Sequence, residues 1–319
     1  MKKEEEKISR RREKPKSKWK RLIFTLLGIL IICIVSYGVN AYYSFQKAVE
    51  KMNTLEQQPH SNITVTIPEK LPHIDPFSVL LLGIDEREND VGRTDTIIVV
   101  TVNPDQKTVK LLSIPRDSRV EIVGNNTVEK INHAYPRGGI PMTIATVENV
   151  LSIPIDYYVA VNMEGFLQII DTLGGITIDN DMDLTHQQYT FPKGEIKLNG
   201  EEALIFSRIR YEDSRGDFGR QIRQKQLIQA IIAKGASPKT LLKLNDVFEI
   251  LGDNVQMNFS VNNLLQLQKL YSSLNKDFEQ LQFEQGTGQY VGDSWYYLIN
   301  EQELTEISNS LKQHMDISE

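Results

Sequence analysis

Residues 22–39 form an apolar run broken only by Thr25 and Ser36, and no charged side chain appears again until Lys47. A run of that length is enough to cross a bilayer as a helix. Lys18, Lys20 and Arg21 sit directly before it, which keeps the short leading tail cytoplasmic and sends the bulk of the chain outward. A cleaved signal peptide is the competing reading, because Val39-Asn-Ala41 loosely resembles a small-x-small cleavage site. The run exceeds a usual signal core, which favours retention as an anchor. Cys33 is the only cysteine and lies inside the span, so the exported part must be held together by its core alone.

This division sets the organisation: a basic cytoplasmic tail over 1–21, a transmembrane anchor over 22–41 and a stalk over 42–76. A folded domain follows over 77–235, and a C-terminal extension packs on it over 236–319. The polar stretch 42–58 can continue the helix out of the membrane, and Pro59, Pro68, Pro72 and Pro76 then read as a spacer with little regular structure. Charge is unevenly spread. The first 21 residues hold seven Lys, four Arg and four Glu, a net +7, which leaves −13 on residues 22–319 of a chain with total −6. An acidic exported part argues against a general nucleic-acid or anionic-membrane surface, so any arginine cluster within it is directed at a site.

Residues 77–84 are apolar on both faces, as in a central strand. Residues 94–102 form a second strand rich in β-branched side chains, and 108–114 a third, stopped by Pro115. If these three make an antiparallel meander, Asp85, Asp95 and Arg116 fall on one edge of the sheet, with Arg93 in the adjoining loop. Two carboxylates and two guanidiniums on one rim suit a Mg²⁺–diphosphate complex, since Mg²⁺ takes one or two protein carboxylates and completes its octahedron with phosphate oxygens and water. The plainer alternative is that Asp85 and Asp95 cap turns or pair with the arginines. Lys130 is either a further phosphate contact or a solvated lysine. His133 has no second histidine at metal-ligand spacing. A helix from about Pro141 to Leu151, a strand over 156–161, a helix over 164–173 and a strand over 176–178 alternate, which predicts an α/β (α+β) fold: a central mixed β-sheet flanked by helices.

The densest chemistry lies at 207–224, where Arg208, Arg210, Arg215, Arg220 and Arg223 fall within eighteen residues. Arg208 and Arg210 stand two apart, which on an extended strand points both to one face. Arg220 and Gln224 stand four apart on the first turns of a helix that begins near Asp217 and runs to about Lys234. Guanidinium forks match phosphate oxygens, and a helix N-terminus adds backbone donors. That helix face continues through Leu227 and Ile231, grading from a charged end to an apolar wall. Ordinary amphipathic packing gives the same stripe. The 236–319 extension has helical periodicity near 261–274 and 301–311 and a strand near 277–283, with no concentration of reactive groups.

The ordered set Leu81-Leu-Gly-Ile-Asp85, Gly92-Arg-Thr-Asp-Thr96, Ser113-Ile-Pro-Arg-Asp117, Lys130-Ile-Asn-His-Ala-Tyr135, Leu173-Gly-Gly175 and Gly216-Asp-Phe-Gly-Arg220 with Arg223-Gln224 resembles the LytR-CpsA-Psr family. The match covers about 77–234, and the tail beyond it looks like the teichoic-acid transferases of that family in Gram-positive bacteria. The resemblance implies an extracytoplasmic, membrane-anchored phosphotransferase. It would move an anionic glycopolymer from undecaprenyl diphosphate to the C6 hydroxyl of peptidoglycan N-acetylmuramic acid, with the polyprenyl chain in an apolar pocket between sheet and helices. It further implies that Asp85 and Asp95 hold Mg²⁺ (or Mn²⁺). Arg93, Arg116, Arg208, Arg210, Arg220 and Gln224 would grip the diphosphate, and Asp217 would position Arg220 or move a proton. Arg119 and Arg223 fit the pattern less securely. Polyprenyl-diphosphate hydrolysis, ligation of a capsular or other secondary polymer, and a non-catalytic envelope regulator are the alternatives; the last is disfavoured by an exported acidic domain with no DNA-binding motif.

Overall fold

The computed structural model describes residues 18–53, 75–85, 91–235, 244–271, 273–274 and 278–317. Most of the basic tail and of the proline-rich spacer lie outside the described residues. Two compact units are present, Met1–Tyr43 and Ser44–Glu319. Helix α1 (Lys18–Met52) contains the stretch Leu27–Met52, which is long and apolar enough to cross a membrane. Its apolar side chains from Leu27 to Val39 are exposed, Ile32 being 67% accessible.

In the second unit, strands β1 (Phe77–Ile84), β2 (Thr94–Asn103) and β3 (Thr108–Ser113) form the expected antiparallel meander. A hairpin follows, β4 (Arg119–Ile122) with β5 (Thr127–Lys130), and then a 3-10 turn, Ile131–His133. Helix α2 (Ala134–Leu151) is broken by non-helical backbone at Gly138 and Gly139, so its regular part starts near Pro141. A proline costs little there because its missing N–H has no intrahelical partner at a helix start. Strand β6 (Tyr157–Asn162) returns parallel to β1. Asn162 caps α3 (Met163–Thr172) by accepting from the Gly165 N–H at 2.7 Å.

Next come β7 (Ile176–Asn180), β8 (Leu184–His186), β9 (Tyr189–Phe191), β10 (Gly194–Leu198), α4 (Gly200–Arg208) and α5 (Asp217–Gly235). The C-terminal part supplies α6 (Leu244–Asn254), β11 (Val255–Met257), α7 (Val261–Tyr271), β12 (Glu279–Gln282), β13 (Thr287–Val291), β14 (Ser294–Leu298) and α8 (Glu301–His314). The main sheet runs β11-β6-β1-β2-β3-β12 and is mixed, so the α/β architecture is as expected.

Side-chain alternation along the strands divides the core in two. Leu80, Leu82, Ile97, Val99 and Leu112 pack one way with Ile144 and Val147 of α2 and Leu311 of α8. Val79, Ile98, Val102, Val109 and Leu111 pack the other way with Met257, Phe259 and the last turns of α1 at Ala48, Val49 and Met52. A third cluster joins α3, α4 and α5 to the small β7–β10 sheet through Ile170, Ile176, Phe206 and Leu227.

His314 closes α8 onto the sheet. It is buried, with Nδ1 2.8 Å from the Thr101 hydroxyl and Nε2 2.8 Å from the Thr108 hydroxyl. A neutral ring donates through one nitrogen and accepts through the other; protonation removes the acceptor. Burial, helped by the charge on Lys110, lowers its pKa below the ordinary 6.5. The folded state therefore binds fewer protons than the unfolded chain in the window just below pH 6.5, and stability falls as pH drops through it. The expected result is that Tm declines between pH 7.5 and 5 more steeply in the parent than in His314→Gln. Parallel slopes in the two proteins would remove His314 as the titrating group.

Candidate functional site

Antiparallel pairing of β1 with β2 and of β2 with β3 brings the end of β1, the start of β2 and the exit from β3 to one edge. Asp85 donates its N–H to the Arg93 carbonyl at 2.9 Å, which closes the β1–β2 connection. A cavity of about 340 Å³ opens there, lined by Asp85, Arg93, Asp95, Arg116, Asp117, Lys130, Asn132 and His133. Arg116 Nη1 donates to Asp95 Oδ2 at 2.5 Å. Lys130 is not a solvated lysine: its Nζ donates to Asp117 Oδ1 at 2.7 Å. Asp117 was assigned no role on sequence, although it follows Arg116 in the same motif. His133 pairs with Glu129 at 2.9 Å, a contact that holds the β5 end to the following turn.

The second cluster arrives from α4 and α5. Asn199 and Glu202 form a reciprocal capping box that starts α4, and the helix runs on to Arg208. The extended geometry expected for Arg208 and Arg210 is therefore corrected: Arg208 ends a helix, Ile209 is its C-cap, and Arg210 lies in the turn beyond. Arg208 Nη2 reaches Asp85 Oδ1 at 3.1 Å. Arg210 lies 3.8 Å from Asp217 and 5.9 Å from the centre of the Trp295 ring. Gly216, at φ +58, turns the chain into α5.

Beneath this turn Asp213 is buried and takes hydrogen bonds from Arg215 Nε at 3.0 Å and from Arg223 Nη1. Arg223, 1% exposed, also donates to the carbonyls of Phe206 and Ile209. Arg223 thus pins the end of α4 to α5. Burial works against the charged form of Asp213, but the hydrogen bonds from Arg215 and Arg223 outweigh it and hold the carboxyl down at about 2. A Cβ on Gly219 would collide with this carboxylate, so the close approach of α5 requires glycine there.

Arg220 joins the two clusters. It is 6% exposed, its Nε has no hydrogen-bond partner, and its Nη2 pairs with Asp217 Oδ1 at 2.9 Å. Burial lowers its pKa; Asp217 and Asp95 oppose that shift while Arg116 and Arg210 add to it. The β1–β3 edge and the α5 start therefore act on one guanidinium. Asp217 also accepts from Gln221 Nε2 at 3.1 Å. A buried, under-partnered cation beside further cations is what an anionic ligand would relieve.

Asp85 and Asp95 can contribute two oxygens to a divalent cation, and a third is at hand. Asn132 Oδ1 is buried, lacks a hydrogen-bond partner and belongs to a residue lining the same cavity. Among the described residues no group of three His, Cys, Asp or Glu could hold a metal ion. Two carboxylates and an amide oxygen would leave the remaining positions of an octahedral shell to phosphate oxygens and water, as Mg²⁺ or Mn²⁺ requires. Both carboxylates are paired with arginines, Asp95 with Arg116 and Asp85 with Arg208.

Next to this charged edge lies an apolar cavity of about 370 Å³ between the sheet and α3, α5 and α6. Leu81, Val159, Phe166, Leu227, Ile228 and Ile231 line it; of the apolar wall expected on α5, Ile231 is part-exposed, whereas Leu227 is fully buried in the third core cluster. Its few polar liners are Thr96, Asn162, Ser207 and Gln224. Thr96 adjoins Asp95, Ser207 adjoins Arg208, and Gln224 is one helical turn beyond Arg220. One end of the cavity therefore meets the charged cluster.

The LytR_cpsA_psr family model matches residues 38–313. The polyisoprenyl-teichoic acid–peptidoglycan teichoic acid transferase TagU of Bacillus subtilis is 42% identical over 309 residues, spanning 96% of this chain and 99% of that protein. The crystal structure of Bacillus subtilis TagU superposes with a TM-score of 0.63 at 44% identity, covering 76% of this chain and 97% of that one. The structure of TagT bound to LI-WTA superposes with a TM-score of 0.65 at 32% identity, covering 81% and 98%. With the family model spanning most of the chain and a relative 42% identical over nearly its full length, this protein belongs to the LytR-CpsA-Psr family.

Proposed function

We propose that the chain is a membrane-anchored transferase, with its N-terminus cytoplasmic and its folded unit outside, that moves a teichoic-acid-type glycopolymer from undecaprenyl diphosphate onto the C6 hydroxyl of peptidoglycan N-acetylmuramic acid. The observation that carries this reading is the apolar cavity ending at the arginine cluster: a polyprenyl chain fits the first and its diphosphate the second. Each buried CH₂ of such a chain contributes about 0.8 kcal/mol. The names of the relatives, teichoic acid transferase for TagU and LI-WTA as ligand for TagT, point to the same donor and acceptor classes.

In this reading the acceptor hydroxyl oxygen forms a bond to the phosphorus that carries the glycopolymer. The P–O bond to polyprenyl phosphate breaks, polyprenyl phosphate leaves, and the hydroxyl proton passes to solvent or a nearby carboxylate. Arg93, Arg116, Arg208, Arg210 and Arg220, with Gln224 and Lys130, orient the diphosphate and offset its charge, the main requirements of phosphoryl transfer. Asp85, Asp95 and Asn132 would hold Mg²⁺ or Mn²⁺, whose contribution is neutralisation of diphosphate charge. The test supplies full-length protein with a polyprenyl-diphosphate-linked glycopolymer, with and without peptidoglycan. A phosphodiester-linked product that requires peptidoglycan supports transfer; release of free glycopolymer at the same rate in both arms would make the protein a hydrolase.

Asp95→Asn is expected to leave only weak transfer and to abolish further loss on chelation, because one ion ligand and the Arg116 partner go together. Asp85→Asn should behave alike but recover in part at high Mg²⁺. A folded Asp95→Asn protein with full activity and full chelator sensitivity would return the carboxylates to simple partners of the arginines.

A further inference from the structure

A third cavity, of about 260 Å³, lies beside the charged edge and shares no residue with the apolar cavity. Asp117 lines both it and the charged cavity. Arg210 and Asp217 come to it from the second cluster, and the β13–β14 hairpin closes it with Gly288, Trp295 and Tyr297. The Trp295 ring is part-buried and packs so close over Gly288 that a Cβ there would strike it. Tyr297 is a fixed wall, its hydroxyl donating to the Phe283 carbonyl at 2.9 Å and accepting from the Gly286 N–H at 3.1 Å. Gln221 also lines this cavity; it is 3% exposed and its Oε1 has no hydrogen-bond partner.

We propose that this cavity is the acceptor subsite and binds a sugar of the peptidoglycan glycan strand. Trp295 and Tyr297 give the cavity an aromatic wall, which suits the C–H-rich face of a pyranose. Carboxylates at Asp117 and Asp217 and the unpartnered Gln221 oxygen are acceptors for sugar hydroxyl and N-acetyl N–H donors. The same carboxylates disfavour a second phosphate, and Arg215 is already engaged by Asp213 and Asp181. This inference rests on the proposed transfer reaction for the identity of its sugar. With the lipid in the apolar cavity, a nucleophile entering through Asp117 and Arg210 approaches the phosphorus by a route separate from the leaving group's, as in-line displacement needs.

The chain has two tryptophans, Trp19 and Trp295, so Trp19→Phe in the detergent-solubilised full chain leaves Trp295 as sole indole reporter. Uncrosslinked glycan strands of alternating N-acetylglucosamine and N-acetylmuramic acid should shift its fluorescence saturably. In transfer assays Trp295→Ala should raise the acceptor KM at least tenfold with the donor KM moved less than twofold, and Trp295→Phe should restore most of the acceptor KM. Saturable binding that depends on Trp295 in a protein found to lack transfer would sustain the subsite and sink the proposed reaction. Active transfer with an unchanged acceptor KM in folded Trp295→Ala, or a fluorescence change elicited by the lipid-linked donor and not by glycan strands, would overturn the subsite.

Discussion

Arg220→Ala is expected to lower the transfer rate by about 10³ while Tm stays unchanged or rises. The two effects share one cause. The guanidinium is buried, holds one ion-pair partner at 2.9 Å, leaves its Nε unbonded and lies within reach of the charges on Arg116 and Arg210. In the protein alone that arrangement costs free energy, because a desolvated cation beside like charges is poorly compensated. With a diphosphate present the same crowding offsets developing negative charge, where a single arginine is worth roughly 10³ or more in rate. Thermal unfolding and initial transfer rates on the same preparation decide the matter. A variant that loses several degrees of Tm along with activity would make Arg220 a structural residue, and one that keeps its rate would remove it from the site.

Asp213→Asn is expected to destabilise the folded unit by about 3–5 kcal/mol, the usual consequence of removing one partner from a buried ion pair. Arg223 would keep its bonds to two backbone carbonyls but lose its counter-charge, and the α4–α5 junction that places Arg208, Arg210 and Arg220 would loosen. Asp181→Asn is the control. Asp181 meets the outer side of Arg215 with its side chain 46% exposed, so its loss should cost no more than about 1 kcal/mol. Denaturant midpoints of the two variants should separate clearly; equal midpoints would show that the buried pair contributes little. The pH dependence has a definite sign. With its folded pKa held near 2 against an ordinary 3.8, Asp213 contributes stability that is complete above about pH 4. That contribution fades as pH falls toward 2, and Asp213→Asn should lack this acid limb.

The parts of the site built from short-range pattern were legible. The double-faced apolar runs at 77–84 and 94–102 identify strands of a buried sheet, and their order alone puts Asp85, Asp95 and Arg116 on one edge. The four-residue spacing of Arg220 and Gln224 places them on one helix face, with Leu227 and Ile231 continuing it into the cavity wall. Arg208 and Arg210 were misread for a local reason. A spacing of two suggests a strand only if the backbone is extended, and the Asn199–Glu202 cap commits the chain to helix as far as Arg208.

What the amino-acid order determined by itself was the N-terminal helix long and apolar enough to cross a membrane, the strand and helix periodicities, and the motif set that marks the family, all properties of residues within a few positions of one another. Tertiary structure alone decided the partners. Asp213 became the buried counter-ion of Arg223 because α5 packs closely at Gly219, and Asn132 became an orphaned acceptor because the turn after β5 docks under Arg116. Trp295 reached Arg210 because the C-terminal hairpin joins the far side of the sheet's charged edge, 85 residues along the chain. Such contacts join residues too far apart in sequence for any local periodicity to report them; they exist only once burial of the apolar faces has folded the chain back on itself.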